Sequence, residues 1–405
     1  MTAMEKKDKT LNVPNLRFPE FSGEWEKYSL NDISTIYGRI GFRGYTVADI
    51  VEKGEGAIAL SPTNIDSNCL TYEKDNTYIS TYKYEESPEI KIFAGDIIFV
   101  KTGSTVGKVA FVDNIIDRTT LNPQLVVLKQ VKCNPYFLYL LMAAPCFQKH
   151  IKRITVGGAV PTLSQNEMGR IGITLPPNAE QDRISALFKL LNYRIETQRK
   201  IIEKYESLIR GISNKLLYAD NGIPVRLGDL LIERSERTKV NNQHEVLSST
   251  VKGIFSQREY FSKEIASENN VGYKIIHLHD VVLSPQNLWM GNINYNDKYD
   301  IGIVSPSYKI FSIAEDYDKR FVSALLKTHR ALYNYMLVSE QGASVVRRNL
   351  NMEAFEQLVF KMPPIDKQRE GGNAISALQS RLELAVRVKT TYEKQKQWLL
   401  TAMFI

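Results

Sequence analysis

Residues 175–212 read LPPNAEQDRISALFKLLNYRIETQRKIIEKYESLIRGI, and residues 362–370 read MPPIDKQRE. Both stretches open on a hydrophobic residue and a Pro-Pro pair, which ends a strand and cannot continue as helix. Each leads into a long helical pattern. Phe188, Leu191, Ile195, Gln198, Ile202, Tyr205, Ile209, Ile212 and Leu216 step 3-4-3-4. Ile375, Leu378, Leu382, Ala385, Lys389, Tyr392, Lys396, Leu399 and Met403 take the same steps at a constant offset of 187 positions. Two helices in one register predict a duplicated frame. The first, over residues 179–217, would be roughly 57 Å long, closed by the turn signal Asp220-Asn221-Gly222. The second carries Gly371 and Gly372 in its opening turn, so its start is expected after Gly372.

Ahead of each helix lies a strand-rich region, and the two regions follow one order. YSLNDIS opens the first; AGDIIFVKTGSTVGKVAFV gives two strands around a glycine-rich turn; NPQLVVLKQV is a further strand; PYFLYLLMAAPCFQKHI is a helix. In the second, PVRLGDLL, LHDVVLSPQNLWMGNINY, SPSYKIFSI and KRFVSALLKTHRALYNYML take those places. Leu30 and Asp32 face Leu227 and Asp229, Asp96 and Gly107 face Asp280 and Gly291, and Pro176, Pro177 and Gln181 face Pro363, Pro364 and Gln368. The expected fold class is α+β: two strand-rich domains separated by two long, antiparallel, coiled-coil-like helices, with an internal pseudo-twofold repeat. The segments are a flexible leader 1–20, a first domain 21–175, a helical region 176–222, a second domain 223–362 and a helical region 363–405. Antiparallel pairing places Ile202 opposite Lys389 and Ile195 near Lys396, with the lysines turned outward. A second apolar stripe, Ile184, Leu187, Ile201 and Leu208 with Leu384, Val388 and Trp398, packs either on the chain's own domains or on helices of a partner.

The 405 residues carry a net charge of +7 and a pI near 9.0, which favours a polyanionic partner. No apolar run reaches membrane-spanning length and the first fifteen residues lack the apolar core of a signal peptide, so a cytoplasmic location is expected. Cys69, Cys133 and Cys146 are not in metal-ligand spacing and read as reduced thiols.

The candidate recognition residues sit at equivalent places in the two halves. Lys101, Thr102, Ser104, Thr105 and Lys108 surround two glycines in a turn suited to phosphates. Arg118, Asn122 and Gln124 follow on the next strand, with side chains suited to base edges. The corresponding turn of the second half offers Gln286, Asn287 and Asn292. Arg347, Arg348 and Asn349 form a polar-basic cluster whose counterpart, residues 156–162, is flanked by Arg153 and Arg170. Singly, each residue reads equally well as a solvated loop; as a set, they favour contact with DNA.

Catalytic signals fail. Between Gly103 and Lys108 the spacing is one residue short of a P-loop, and Val109 supplies no hydroxyl for a metal. Asn122-Pro-Gln-Leu and Asn134-Pro-Tyr-Phe lack the second proline of an amino-methyltransferase motif. Pro88-Glu-Ile-Lys91 has no acidic partner that would make a nuclease site, and the five histidines form no metal set.

Laid out this way, the chain closely resembles the specificity subunit of type I restriction-modification enzymes. LRFPEFSGEWEKYSLNDI, AGDIIFVKTGSTVGKVA, the first helix and MPPIDKQRE carry the resemblance, which covers nearly the whole length. It implies two target-recognition domains, each reading one half of a bipartite, asymmetric DNA site. It also implies helical regions that set the spacer and bind two modification (methyltransferase) subunits, with restriction (motor-nuclease) subunits joining the complex. No catalytic residue is implied. S-adenosylmethionine, ATP and Mg are expected on the partner subunits and not on this chain. The competing classes are an enzyme with a degenerate site and a coiled-coil adaptor that never touches DNA.

Overall fold

A computed structural model describes residues 12–73, 75–155, 160–217, 222–260, 269–341 and 348–405. The chain divides into two compact units: residues 1–197 with 389–405, and residues 198–388. Each long helix runs from one unit into the other.

The first unit opens on an antiparallel ribbon, Glu26–Ser29 with Gly172–Leu175, in the register Glu26 to Leu175. A short helix, Leu30–Ile33, follows behind a capping box in which Ser29 and Asp32 satisfy each other's backbone N–H groups. A six-stranded sheet then takes the order Thr35–Gly38, Leu125–Lys129, Ile97–Val100, Val109–Phe111, Cys69–Leu70, Ile65–Asp66. Ile97–Val100 is a continuous apolar run because both of its faces are buried. Ile97 and Phe99 face the cluster containing Trp25, Phe137 and Phe188, whereas Ile98 and Val100 face a second cluster with Ile58, Leu60 and Leu121. That second cluster lies against a three-stranded sheet, Thr77–Ile79, Ala57–Leu60 and Thr119–Leu121, whose last pair is parallel.

The pattern at 135–151 is two helices, Pro135–Ala143 and Pro145–Ile154, and not the single one expected. Pro145 cannot continue the first; it starts the second at the position where its missing N–H costs nothing. Residues Tyr136 to Met142 are all buried, which explains the lack of a polar face in PYFLYLLMA.

The second unit repeats this plan. Ile223–Arg226 pairs with Val359–Met362, a short helix Leu227–Leu230 follows, and a four-stranded sheet has the order Leu231–Arg234, Lys309–Ile313, Val281–Leu283, Ile293–Tyr295. These strands correspond in order to the first four of the larger sheet. Around them the units diverge: the second adds two-stranded ribbons at Leu247–Ser256 and at Lys274–His277 with Ile301–Val304. The helix expected at 319–337 is again two, Lys319–Leu326 and His329–Leu337, divided where Thr328 caps the second by accepting the Ala331 N–H.

The long helices span Asn178–Leu217 and Ile365–Ala402. In the first unit Ile184, Phe188 and Leu191 of the former share a core with Leu399, Leu400 and Met403 of the latter. In the second unit Ile209 and Ser213 line a cleft with Ile375 and Gln379. The start of one helix meets the end of the other in both places, so they are antiparallel. The second helix starts at Ile365 rather than after Gly372. A Cβ on Gly372 would come within 2.4 Å of Asp318 Oδ1 and 2.8 Å of the Phe321 N, so close packing, and not a break, selects glycine. Lys389 pairs with Glu393 at 3.0 Å. Lys396 is not fully turned out; burial pushes its pKa down.

Residues 12–20, expected as part of a leader, are tied to the first unit. Leu16 donates its N–H to the Ala402 carbonyl at 2.8 Å, and the Arg17 guanidinium grips the fully buried Glu180 carboxylate at 2.7 and 2.6 Å. Residues 1–11 and the turn signal at Asp220 and Asn221 lie outside the described residues. Among the described residues no helix is long and apolar enough to cross a membrane.

Candidate nucleic-acid interface

In the first unit the turn at residues 101–108 joins the hairpin strands Ile97–Val100 and Val109–Phe111. Gly107 takes φ +97° and a Cβ there would meet Gln148 Oε1 at 2.8 Å, so only glycine serves. Gln148 in turn donates to the Gly107 and Met142 carbonyls at 2.8 and 2.6 Å, which fixes the turn on the helix Pro145–Ile154. Further backbone bonds clamp its other side: Lys101 N to Gln124 O at 2.9 Å, Leu163 N to Lys101 O at 2.8 Å and Gly103 N to Pro161 O at 2.9 Å. The turn, Gln124 and residues 160–163 therefore form one surface.

The side chains on this surface differ in availability. Ser104 is exposed and Thr102 and Thr105 are half-exposed. Lys108 donates to the Ile65 carbonyl at 3.2 Å, and burial lowers the Lys101 pKa. Neither lysine has a carboxylate partner among the described residues, so a bound anion would meet uncompensated charge. Gln124 is exposed, whereas Asn122 is buried, accepting the Gln124 N–H at 2.9 Å and donating to Gln124 Oε1 at 3.2 Å. Asn122 shapes the Asn-Pro-Gln turn from beneath. These residues are not on one strand as expected: Asn122 and Gln124 lie between Thr119–Leu121 and Leu125–Lys129. Arg118 precedes the former, about 13 Å of extended chain from Asn122. Arg153, exposed, ends the helix that carries Gln148; Arg170, also exposed, caps the short helix Gln165–Gly169.

The second unit builds the same place from other chemistry. Its turn, 284–292, contains a 3-10 segment, Leu288–Met290, closed by Gly291 at φ +94°. Gln286 is exposed and Asn287 half-buried, its carbonyl accepting the Asn292 N–H at 3.2 Å. Asn292 is buried: its Oδ1 accepts from Ser249 Oγ at 2.9 Å and its Nδ2 donates to the Ser249 carbonyl at 3.1 Å. It braces the turn, as Asn122 does in the other unit. Arg348 donates its N–H to the Gln286 carbonyl at 3.2 Å, and its guanidinium lies 4.9 Å from the centre of the Trp289 ring. Asn349 is exposed beside it, and Arg347 lies outside the described residues.

Sequence reasoning missed Trp289, Gln148 and Arg39. Arg39 is buried and donates to the Leu121 carbonyl, Thr120 Oγ1 and the Arg43 carbonyl at 2.8, 3.1 and 3.2 Å, tying the loop that follows it to the strand leading into Asn122. Burial lowers its pKa, with Tyr45, Glu86 and Glu89 opposing. The glycines and arginines of GRIGFRGY at 38–45 were the available signal.

On the helices the stripe divides. In the first unit Ile184 is buried in the core and Leu187 packs against it, whereas Trp398 is 60% exposed. In the second, Leu208 and Leu384 are exposed, and Ile201 and Val388 half-buried. Leu190, Tyr193 and Val386, outside the expected stripe, are exposed as well. Among the described residues no group of three or more His, Cys, Asp or Glu is placed to hold a metal.

Residues 22–206 match the family model described as the type I restriction modification DNA specificity domain. A putative type I restriction enzyme MjaX specificity subunit of Methanocaldococcus jannaschii is 22% identical, over 97% of this chain and 95% of its own length. Among solved structures, a type I restriction-modification system S subunit from M. genitalium is 13% identical at a TM-score of 0.59, covering 97% of this chain and 99% of its own. A chain from a study of complex assembly and conformational transition of the type I R-M system is 13% identical at a TM-score of 0.50, over 93% and 96%. The chain is thus similar over nearly its whole length to a type I specificity subunit, and residues 22–206 match the DNA specificity domain of that family.

Proposed function

We propose that this chain directs a type I restriction-modification complex to a bipartite, asymmetric DNA site and does no chemistry itself. Each recognition domain reads one half-site. The helices set the spacer and dock two modification subunits, through which restriction subunits join. S-adenosylmethionine, ATP and Mg belong to those partners. One observation carries the reading. The two units share strand order, ribbon register and turn position, yet the turn at 101–108 offers lysines and hydroxyls where the turn at 284–292 offers amides and an indole. A conserved scaffold with unlike chemistry at one place suits two half-sites of unlike sequence. The basic balance of the chain suits the partner.

The test is an exchange of residues 25–175 for the matching domain of another family member, with methylated adenines mapped genome-wide. One half-site should change and the other persist. Change in both, or in neither, would remove the two-domain reading. Binding of S-adenosylmethionine by the purified chain alone would support an enzyme instead.

A further inference from the structure

We propose that Arg348 reads a guanine in the half-site of the second recognition domain, and that Trp289 is the residue that positions it. The inference rests on the DNA-reading function argued above. Arg348 lies on the strand Arg348–Leu350, which pairs with Ser339–Gln341, and its backbone N–H is bonded to the Gln286 carbonyl at the tip of the recognition turn. Its guanidinium carbon stands 4.9 Å from the centre of the Trp289 ring. A guanidinium held over an aromatic face is attracted to it and keeps the N–H donors of its two Nη groups off the ring. That planar fork matches the O6 and N7 acceptors of guanine in the major groove.

The arginine is not spent on the protein. Arg17 and Arg234 each grip a buried carboxylate, of Glu180 and Asp280, at 2.6 and 3.0 Å. Arg348 has no carboxylate partner among the described residues, and its one acceptor there, the Met336 carbonyl, is at 3.5 Å, the outer limit of a hydrogen bond. Arg348 Nε and Trp289 Nε1 are both shielded from solvent and have no acceptor among the described residues. Exposed Gln286 and Asn349 flank the site with further groups able to read base edges. In the first unit the position matching Arg348 is Pro161, so this route to guanine belongs to the second domain alone.

A phosphate could satisfy the same fork, and the experiment separates the two. The purified full chain, and the chain assembled with modification subunits, select from a duplex library randomised over both half-sites, at several salt concentrations. Wild type should enrich a bipartite motif with a guanine in one half. Arg348→Ala should reduce preference at that base roughly 5- to 150-fold while the rest of the motif persists. Arg348→Lys keeps the charge and should lose the preference, because the planar fork is required. Trp289→Phe keeps a ring and should retain it, whereas Trp289→Leu should lose it. Retention of the remaining bases of the second domain's own half-site certifies each variant as folded. Weakening at every sequence alike, with a salt slope shallower by about 0.9, would make Arg348 a phosphate contact and overturn the proposal, as would an unchanged motif. A wild-type chain that enriches no motif would instead overturn the DNA-reading function itself.

Discussion

Gln181 and Gln368 make the same pair of hydrogen bonds in the two units. Each donates Nε2 to the carbonyl of the first proline of its Pro-Pro pair, Pro176 or Pro363, at 2.8 Å. Each accepts, through Oε1, the N–H of the residue that caps the next domain helix, Asn134 at 2.9 Å or Asp318 at 3.0 Å. Both glutamines are buried. One amide thus fastens the start of each long helix to the recognition domain beside it.

Replacing either glutamine by Ala would leave a donor and an acceptor unpaired, at a cost of about 1–3 kcal/mol. The two sites share no partner, so the double variant should lose the sum. Urea denaturation followed by circular dichroism checks this; a double variant no weaker than either single one would refute it.

Gly372→Ala separates propensity from packing. Helix propensity alone favours Ala by about 1 kcal/mol. The clash with Asp318 and the Phe321 N–H should reverse the sign and destabilise by about 1–3 kcal/mol. A raised denaturation midpoint would show that the helix yields to the methyl group.

Replacing Lys101 and Lys108 together by Ala should weaken binding to every duplex alike and flatten the salt dependence by about two ion releases, each with a slope near −0.9. Burial already lowers the Lys101 pKa, and a phosphate would raise it again. Binding then takes up a proton above the free-state pKa, so affinity should fall as pH rises into the alkaline range. Lys101→Ala should lose that trend. An unchanged salt slope in the double variant removes the turn from the interface.

Trp398→Asp places a charge on an exposed side chain, so stability should change by no more than about 0.5 kcal/mol, while assembly with modification subunits falls. Leu187→Asp is a different experiment: Leu187 packs on the core and its loss should destabilise the chain itself. Light scattering after size exclusion reads assembly; normal complex from Trp398→Asp would clear that surface of a docking role.

Lys327 is exposed along its stem, but its Nζ turns in to donate to Asn294 Oδ1 near Asp297, and desolvation of the ammonium lowers its pKa. The unfolded chain therefore binds the proton more tightly, and stability should rise with pH between the depressed folded value and the ordinary lysine value. Lys327→Met should flatten that rise. Lys274 and Lys396 shift in the same direction and should preserve the remainder.

The frame was legible because it depends on spacing. Apolar steps and Pro-Pro pairs repeat at a fixed offset, and that periodicity is local to each helix. Breaks within the domain helices were less visible, since PYFLYLLMAAPCFQKHI is apolar on both sides of Pro145. Gly372 misled because its cause is Asp318, more than fifty positions upstream. The turns were found by composition, but not which amides face outward. Asn292 is bonded to Ser249 on another ribbon, and Asn122 turns its amide back on Gln124. Trp289 carried no signal until the fold set Arg348 over it.

Because Leu399, Leu400, Met403 and Phe404 complete the core around Phe137 and Phe188, the first unit cannot close during its own synthesis. The intervening residues 198–388 take the ribosome about 10–40 s at 5–20 residues per second. Throughout that interval the nascent first domain holds an unfilled apolar groove. A stop codon anywhere in the second repeat deletes the plug. Truncated messages should therefore yield misfolded chains for proteolysis.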